Sequence, residues 1–283
     1  MTFPYHLHLF GLALHPHPVL EVVGYTGGSQ LYFWLRRRAT RSARPALGPP
    51  VPVEANLWLI VGCVLGALVG AKALALAENW SAIRPEVAAG NVAALLAGKT
   101  IVGGILGGWV GVEVAKRRLG VGSRTGDLFV FPLCFGIAAG RVGCFLTGLD
   151  DHTHGVATAL PWAVDFGDGV RRHPTQLYEV AWLAGLAAVL ALPPARRIWS
   201  PAPGRLFRLF VAGYLSFRFA VEFIKPTDKP WLGLSAIQWA SGIAVAVCVA
   251  QLARGGRASR AASVHVAGAS DGDAPPPQPV PPA

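Results

Sequence analysis

Charge is scarce in this chain of 283 residues: 14% are Asp, Glu, Lys or Arg, against 53% hydrophobic. An ordinary soluble domain carries about 25% charged residues, so that class is excluded. Acidic residues are scarcer still, 15 against 25 basic. The basic surplus does not gather into a nucleic-acid patch. It flanks apolar runs, as membrane topology signals do, and no nucleic-acid partner is expected. Cysteine is rare too. Cys63, Cys134, Cys144 and Cys248 all fall inside apolar runs and show no zinc-type spacing. The sequence therefore predicts buried thiols, with no disulfide framework, metal centre or cofactor. The first residues, MTFPYHLHLFGLALHPHPVL, lack a basic leader and a small-residue cleavage site. No cleaved signal peptide is expected.

What is present is apolar and segmented. A spanning helix needs about 20 mainly apolar residues. Candidates lie at roughly 16–35, 55–77, 98–115, 127–149, 174–193, 206–224 and 236–253. Glu21, Gly27, Gly28 and Gln30 interrupt the first and make it the weakest. Connections after the odd-numbered segments carry Arg36, Arg37, Arg38, Arg41 and Arg44, then Lys116, Arg117, Arg118 and Arg124. They continue with Arg196, Arg197 and Arg205, then Arg254, Arg257 and Arg260, fifteen in all. The opposite connections hold six: Arg84, Lys99, Arg171, Arg172, Lys225 and Lys229. This asymmetry predicts an all-α polytopic membrane protein of about seven spans, N-terminus outside and C-terminus cytoplasmic.

Small residues recur every fourth position at Gly62, Gly66 and Gly70, and again at Gly103, Gly107 and Gly111. Gly104 and Gly108 sit beside the second set, and Gly136 and Gly140 repeat the pattern near Arg141. Such faces let helix backbones approach closely in lipid. Residues 1–253 are read as one membrane-embedded domain with outer-side loops at 78–97 and 150–173. The first loop is moderately apolar and suits an interfacial helix. The second is the most polar and suits the cover of a site. From 254 to 283 the chain ends in DGDAPPPQPVPPA, and a disordered cytoplasmic tail is expected.

Ionisable residues inside apolar runs carry the chemistry, because a charge in hydrocarbon costs about 2.5–3.5 kcal/mol on insertion scales. They are Glu21, Lys72, Glu113, Arg141, Glu179, Arg218 and Glu222. Lys72 and Glu113 lie close enough to segment ends to snorkel. Tyr214, Arg218 and Glu222 are spaced by four and form one polar stripe. The stripe either closes on itself as a structural ion pair or serves a ligand. Two guanidiniums in one bundle point to an anion between them, with a phospholipid headgroup as the natural candidate. Pro174 suits a helix start, and Gln176 and Glu179 share a face of the helix that follows.

Four stretches then resemble one family. GRVGCFLTG (140–148), RHPTQLYE (172–179), YLSFRFAVEFIKPTD (214–228) and LSAIQW (234–239) are similar to signatures of the prolipoprotein diacylglyceryl transferases. The resemblance spans about 16–253, and seven N-out spans fit it. It implies transfer of the diacylglyceryl group of phosphatidylglycerol to the thiol of a lipobox cysteine in a prolipoprotein signal peptide. A thioether forms and glycerol phosphate leaves, at a multi-pass site in the bacterial cytoplasmic membrane. Carried over by position, Arg141 and Arg218 hold the lipid phosphate, and Glu222 completes the catalytic set. Tyr214, Gln176, Tyr178, Glu179, Gly103 and Gly104 line the substrate, with membrane lipids around them.

The chain also departs from that pattern. The family's third-helix histidine is Val102, the asparagine of its GNF run is Cys144, and its NGE reads Thr147, Gly148, Leu149. Lys99, His152, His154 and His173 stand near enough in sequence to supply charge or a base, and Cys144 near Arg141 is either a packed or a reactive thiol. Two alternatives stay open: a family member with another acceptor or phospholipid donor, and a non-catalytic lipid-binding or transport protein that keeps the phosphate clamp.

Overall fold

Long apolar runs leave the backbone no aqueous partner in lipid, so they close their hydrogen bonds internally as helices. A computed structural model describes residues 3–5, 7–9, 11–41, 52–96, 98–192 and 203–270. Its helices are α1 (Pro16–Arg41), α2 (Val53–Glu78), α3 (Trp80–Ala88) and α4 (Ile101–Leu119). They continue with α5 (Val130–Thr147), α6 (Thr175–Ala191), α7 (Arg205–Val221) and α8 (Ala236–Ser270). Among the described residues, three stretches, Glu54–Glu78, Gly126–Asp151 and Ala236–Gly255, are long and apolar enough to cross a membrane, and Thr175–Ala191 is apolar but shorter. The protein is thus mostly helical, with membrane character.

Two short hairpins lie outside the long apolar runs. There β1 (Leu7–Leu9) pairs antiparallel with β2 (Leu12–Leu14), and β3 (Val164–Asp165) with β4 (Arg171–Arg172). Gly11 turns the first hairpin at φ +80°, where a side chain is disfavoured. Strands this short carry no readable alternation. Where a disordered tail was expected from 254, α8 continues to Ser270, through a run rich in alanine and arginine, both strong helix formers. Residues 271–283, with the proline-rich end, lie outside the described residues. Within 78–97 lie α3 and a 3₁₀ turn at Val92–Leu96.

Two antiparallel helix pairs frame the molecule, and glycine makes both. Between α2 and α4, Gly62 meets Gly111, Gly66 meets Gly107, and Gly70 meets Gly103. A Cβ at Gly107 would stand 2.1 Å from the Gly66 carbonyl oxygen, so nothing larger fits without separating the helices. Between α1 and α5, a Cβ on Gly24 would stand 2.9 Å from the Gly136 oxygen, and one on Gly143 would lie 3.2 Å from His17 Cα. The core joins these pairs through Val102, Val130, Leu183, Phe210, Tyr214 and Leu215.

The LSAIQW motif builds the start of α8. The Ser235 hydroxyl accepts from Gln238 N (3.2 Å), and Gln238 Oε1 accepts from Ser235 N (3.0 Å), a reciprocal cap. Gln238 Nε2 then donates to the Phe219 carbonyl on α7 at 3.2 Å. Glu78, at the end of α2, accepts from Ile237 N at 3.0 Å. This fixes α8 against α7, which carries the polar stripe.

Candidate active site

Three neighbouring helices bring four charges together. Arg141 comes from α5, Glu179 from the first turns of α6, and Arg218 from the last turn of α7. Glu222 opens the 3₁₀ turn that follows α7. Glu179 is the pivot. Its Oε2 lies 2.9 Å from Arg141 Nε and 3.1 Å from Arg218 Nη1. Its Oε1 accepts from the Tyr214 hydroxyl at 2.6 Å. Arg218 Nη2 donates to Glu222 Oε2 at 3.2 Å, one helical turn on.

All of these side chains are buried; Arg218 is 4% exposed, and Glu222 and Tyr214 not at all. Burial of this kind requires pairing, since an uncompensated charge in the interior costs several kcal/mol. The cluster is only partly self-satisfied. Arg218 Nε, Glu222 Oε1 and both polar atoms of Gln176 are buried with no hydrogen-bond partner among the described residues, and Arg141 Nε meets Glu179 as an ion pair without hydrogen-bond alignment. Orphaned buried polar atoms are rare in proteins, and these are free to pair with a polar group or water brought to the cluster.

Lys225 lies just beyond the stripe and in its field. Burial, then the Arg218 guanidinium, hold its ammonium down to about 8. The loop 150–173 packs against the same end. Val156 N donates to the Ile224 carbonyl at 2.9 Å, and Gly155 N to that of His173 at 2.9 Å. Asp168 accepts two hydrogen bonds from Arg172, both at 2.7 Å, which hold its carboxyl near 2.

Of the residues expected at the site, the structure gathers Arg141, Arg218, Glu222, Tyr214 and Glu179, with Gln176 buried one turn before Glu179 on α6. Tyr178 points elsewhere: its hydroxyl accepts from Trp162 Nε1 at 2.8 Å and lies 3.1 Å from His173 Nδ1, anchoring the loop. A Cβ on Gly103 would stand 2.2 Å from the Gly70 oxygen, and one on Gly104 3.9 Å from Ala71 Cβ. Both glycines sit at the α2–α4 contact. Val102 is 1% exposed and belongs to the apolar core. Lys99 pairs with Glu21 at 2.7 Å. His152 is exposed, and His154 turns to the Gly155 carbonyl at 3.1 Å.

One group was missed from the sequence. His17, on the first turn of α1, sits 3.1 Å from Asp151 and 3.7 Å from Cys144 Sγ. The readable signal was HPHPVLE, a histidine at a proline-marked helix start with Glu21 four residues on.

The chain as a whole has relatives. The family described as prolipoprotein diacylglyceryl transferase matches residues 4–254. A protein of Methylococcus capsulatus named phosphatidylglycerol–prolipoprotein diacylglyceryl transferase is 34% identical over 81% of this chain and 83% of its own length. Proteins of the same name are 36% identical in Nitratidesulfovibrio vulgaris (78% of this chain, 79% of theirs) and 30% in Bordetella bronchiseptica (84% and 89%). A match over nearly the whole described fold, with the paired arginines of α5 and α7 inside it, places the chain in the prolipoprotein diacylglyceryl transferase family.

Proposed function

We propose that this chain transfers the diacylglyceryl group of phosphatidylglycerol to the lipobox cysteine of prolipoprotein signal peptides. The thiol releases its proton to solvent, and the sulfur lone pair forms a C–S bond to the glyceryl carbon. The C–O bond to phosphate breaks, its electron pair stays on the phosphate oxygen, and glycerol phosphate departs. The observation that carries this reading is the convergence of Arg141 and Arg218 on a single carboxylate oxygen. Two guanidiniums that reach one oxygen also reach one phosphodiester, where charge-assisted bonds stabilise the anion that leaves.

In this reading Arg141 and Arg218 hold the phosphate, and Glu222 steadies Arg218. Glu179 and Tyr214 position both arginines, and Gln176 offers its free amide to the headgroup. The seven-span, N-out topology in the bacterial cytoplasmic membrane belongs to the same proposal. The antiparallel pairings α1–α5 and α2–α4 agree with alternation of successive spans. That topology puts the arginine cluster toward the outer leaflet, beneath the loop 150–173.

Complementation tests it. The chain is expressed in a bacterium depleted of its own transferase, and a model lipoprotein is weighed by mass spectrometry. The expected result is growth and a diacylglyceryl mass increase, both lost in Arg141→Ala. Phosphatidylglycerol binding without modified lipoprotein would sink the transfer reading in favour of a silent lipid binder. Burial of Val102 where an imidazole is usual favours one second reading, another acceptor. It predicts lipid turnover without a lipobox peptide.

A further inference from the structure

Beside the arginine cluster, three metal-binding atom types converge on one point. His17 Nδ1 lies 3.1 Å from Asp151 Oδ1 and 3.7 Å from Cys144 Sγ, and all three donor atoms fall within 4.8 Å of one another. The same ring nitrogen faces both the thiol and the carboxylate. In a nucleophile–histidine–acid relay the two partners take opposite nitrogens. This geometry is therefore convergent and not a relay.

We propose that His17, Cys144 and Asp151 form a three-ligand site for a transition-metal cation, zinc by its donor set, with its fourth position open. Tetrahedral zinc, with Zn–S about 2.3 Å and Zn–N or Zn–O about 2.0–2.2 Å, sets N and S ligands about 3.5 Å apart and N and O about 3.3 Å apart. The observed spacings straddle those values. Three protein ligands with an open fourth position are the pattern of catalytic zinc.

The surroundings fit as well. Glu21 Oε2 stands 3.9 Å from His17 Nε2, longer than a hydrogen bond but on the side of the ring where an outer carboxylate would orient a metal-bound imidazole. Glu21 is itself fixed by Lys99 (2.7 Å) and by the Tyr25 hydroxyl (2.8 Å). Cys144 is buried, while the side chains of His17 and Asp151 keep 26% and 12% exposure, so the three donors sit at the edge of the buried region. The tight approach of α1 to α5 at Gly143 brings the histidine to the cysteine across 127 residues of sequence.

Arg141 Nη1 lies 3.9 Å from Cys144 Sγ, so the metal borders the phosphate clamp. The role that follows rests on the transferase reading. The open position takes the acceptor cysteine sulfur as thiolate, and its proton leaves to solvent, because a coordinated thiol deprotonates outright. The thiolate then attacks the glyceryl carbon as written above. This supplies the activation that Val102 cannot.

The test uses the full chain purified in detergent. It should carry about one zinc per chain. After chelation, cobalt should restore a site with a sulfur-to-metal charge-transfer band. Cys144→Ser should abolish that band although Cys63, Cys134 and Cys248 remain. Glu21→Gln should weaken metal affinity about 10–100-fold with the helical circular dichroism unchanged. Adding a lipobox peptide should strengthen the band through a second Co–S bond. A hydrogen-bonded trio that takes no metal, or a band that survives Cys144→Ser, overturns the site. A band unmoved by peptide overturns the thiol role. Lipoprotein modification by metal-free protein sinks this inference and leaves the transferase reading standing. Metal and peptide responses without lipoprotein modification uphold the site and sink that reading.

Discussion

Replacing Glu179 with glutamine removes the carboxylate that two buried guanidiniums share, with almost no change in shape. One oxygen of Glu179 lies 2.9 Å from Arg141 and 3.1 Å from Arg218, and the other accepts from Tyr214 at 2.6 Å. Removing one partner of a buried ion pair costs about 3–5 kcal/mol, because the surviving charge stays buried and unpaired. Here two cations lose their partner at once, and Glu222 compensates only Arg218. Glu179→Gln should therefore fall in the upper part of that range, measured by reversible unfolding in mixed micelles. The two free guanidiniums should also make the variant depend on anionic lipid: phosphatidylglycerol should recover more stability in Glu179→Gln than in the parent. A loss below about 1 kcal/mol, as for an exposed ion pair, would refute the reasoning. So would a rescue equally good with zwitterionic lipid.

Other outcomes follow from the same geometry. Gly107→Ala should destabilise by about 1–3 kcal/mol or more, since its Cβ would stand 2.1 Å from a facing carbonyl oxygen, whereas Gly104→Ala, with its nearest neighbour at 3.9 Å, should be tolerated in the same unfolding assay. Lys225, held down to about 8 by burial and Arg218, is charged below that pH and neutral above it. Its help to an anionic headgroup is present at low pH and lost on the alkaline side. KM for phosphatidylglycerol should rise above about pH 8 in the parent and stay flat there in Lys225→Arg. Gln238→Ala removes half of the reciprocal cap and the bond to the Phe219 carbonyl. The expected loss is about 1–2 kcal/mol, with faster hydrogen exchange at the start of α8.

The helical frame was legible because hydrocarbon demands runs of fixed length. Each of the seven apolar segments contains a helix, including the weak first one, where Gly24 and Gly28 turn out to be contacts with α5. The glycine repeats at 62–70 and 103–111 were read as packing faces, but a sequence does not say which face meets which. The two hairpins went unread because two or three residues per strand show no period. Arg141 and Arg218 announced themselves as charges in apolar runs, and the four-residue stripe gave Glu222 and Tyr214. Glu179 was placed at the site, yet its bridging of both arginines depends on the crossing of α5, α6 and α7, which no spacing encodes. His17 was missed for the same reason: its partners Cys144 and Asp151 are remote in sequence, and the helix that carries it is the least apolar of the seven.

A structure solved with phosphatidylglycerol bound tests the central claim most directly. The account predicts one headgroup phosphate within hydrogen-bond distance of both Arg141 and Arg218, displacing at least one arginine from Glu179. A phosphate held elsewhere, with both arginines still closed on Glu179, would contradict it.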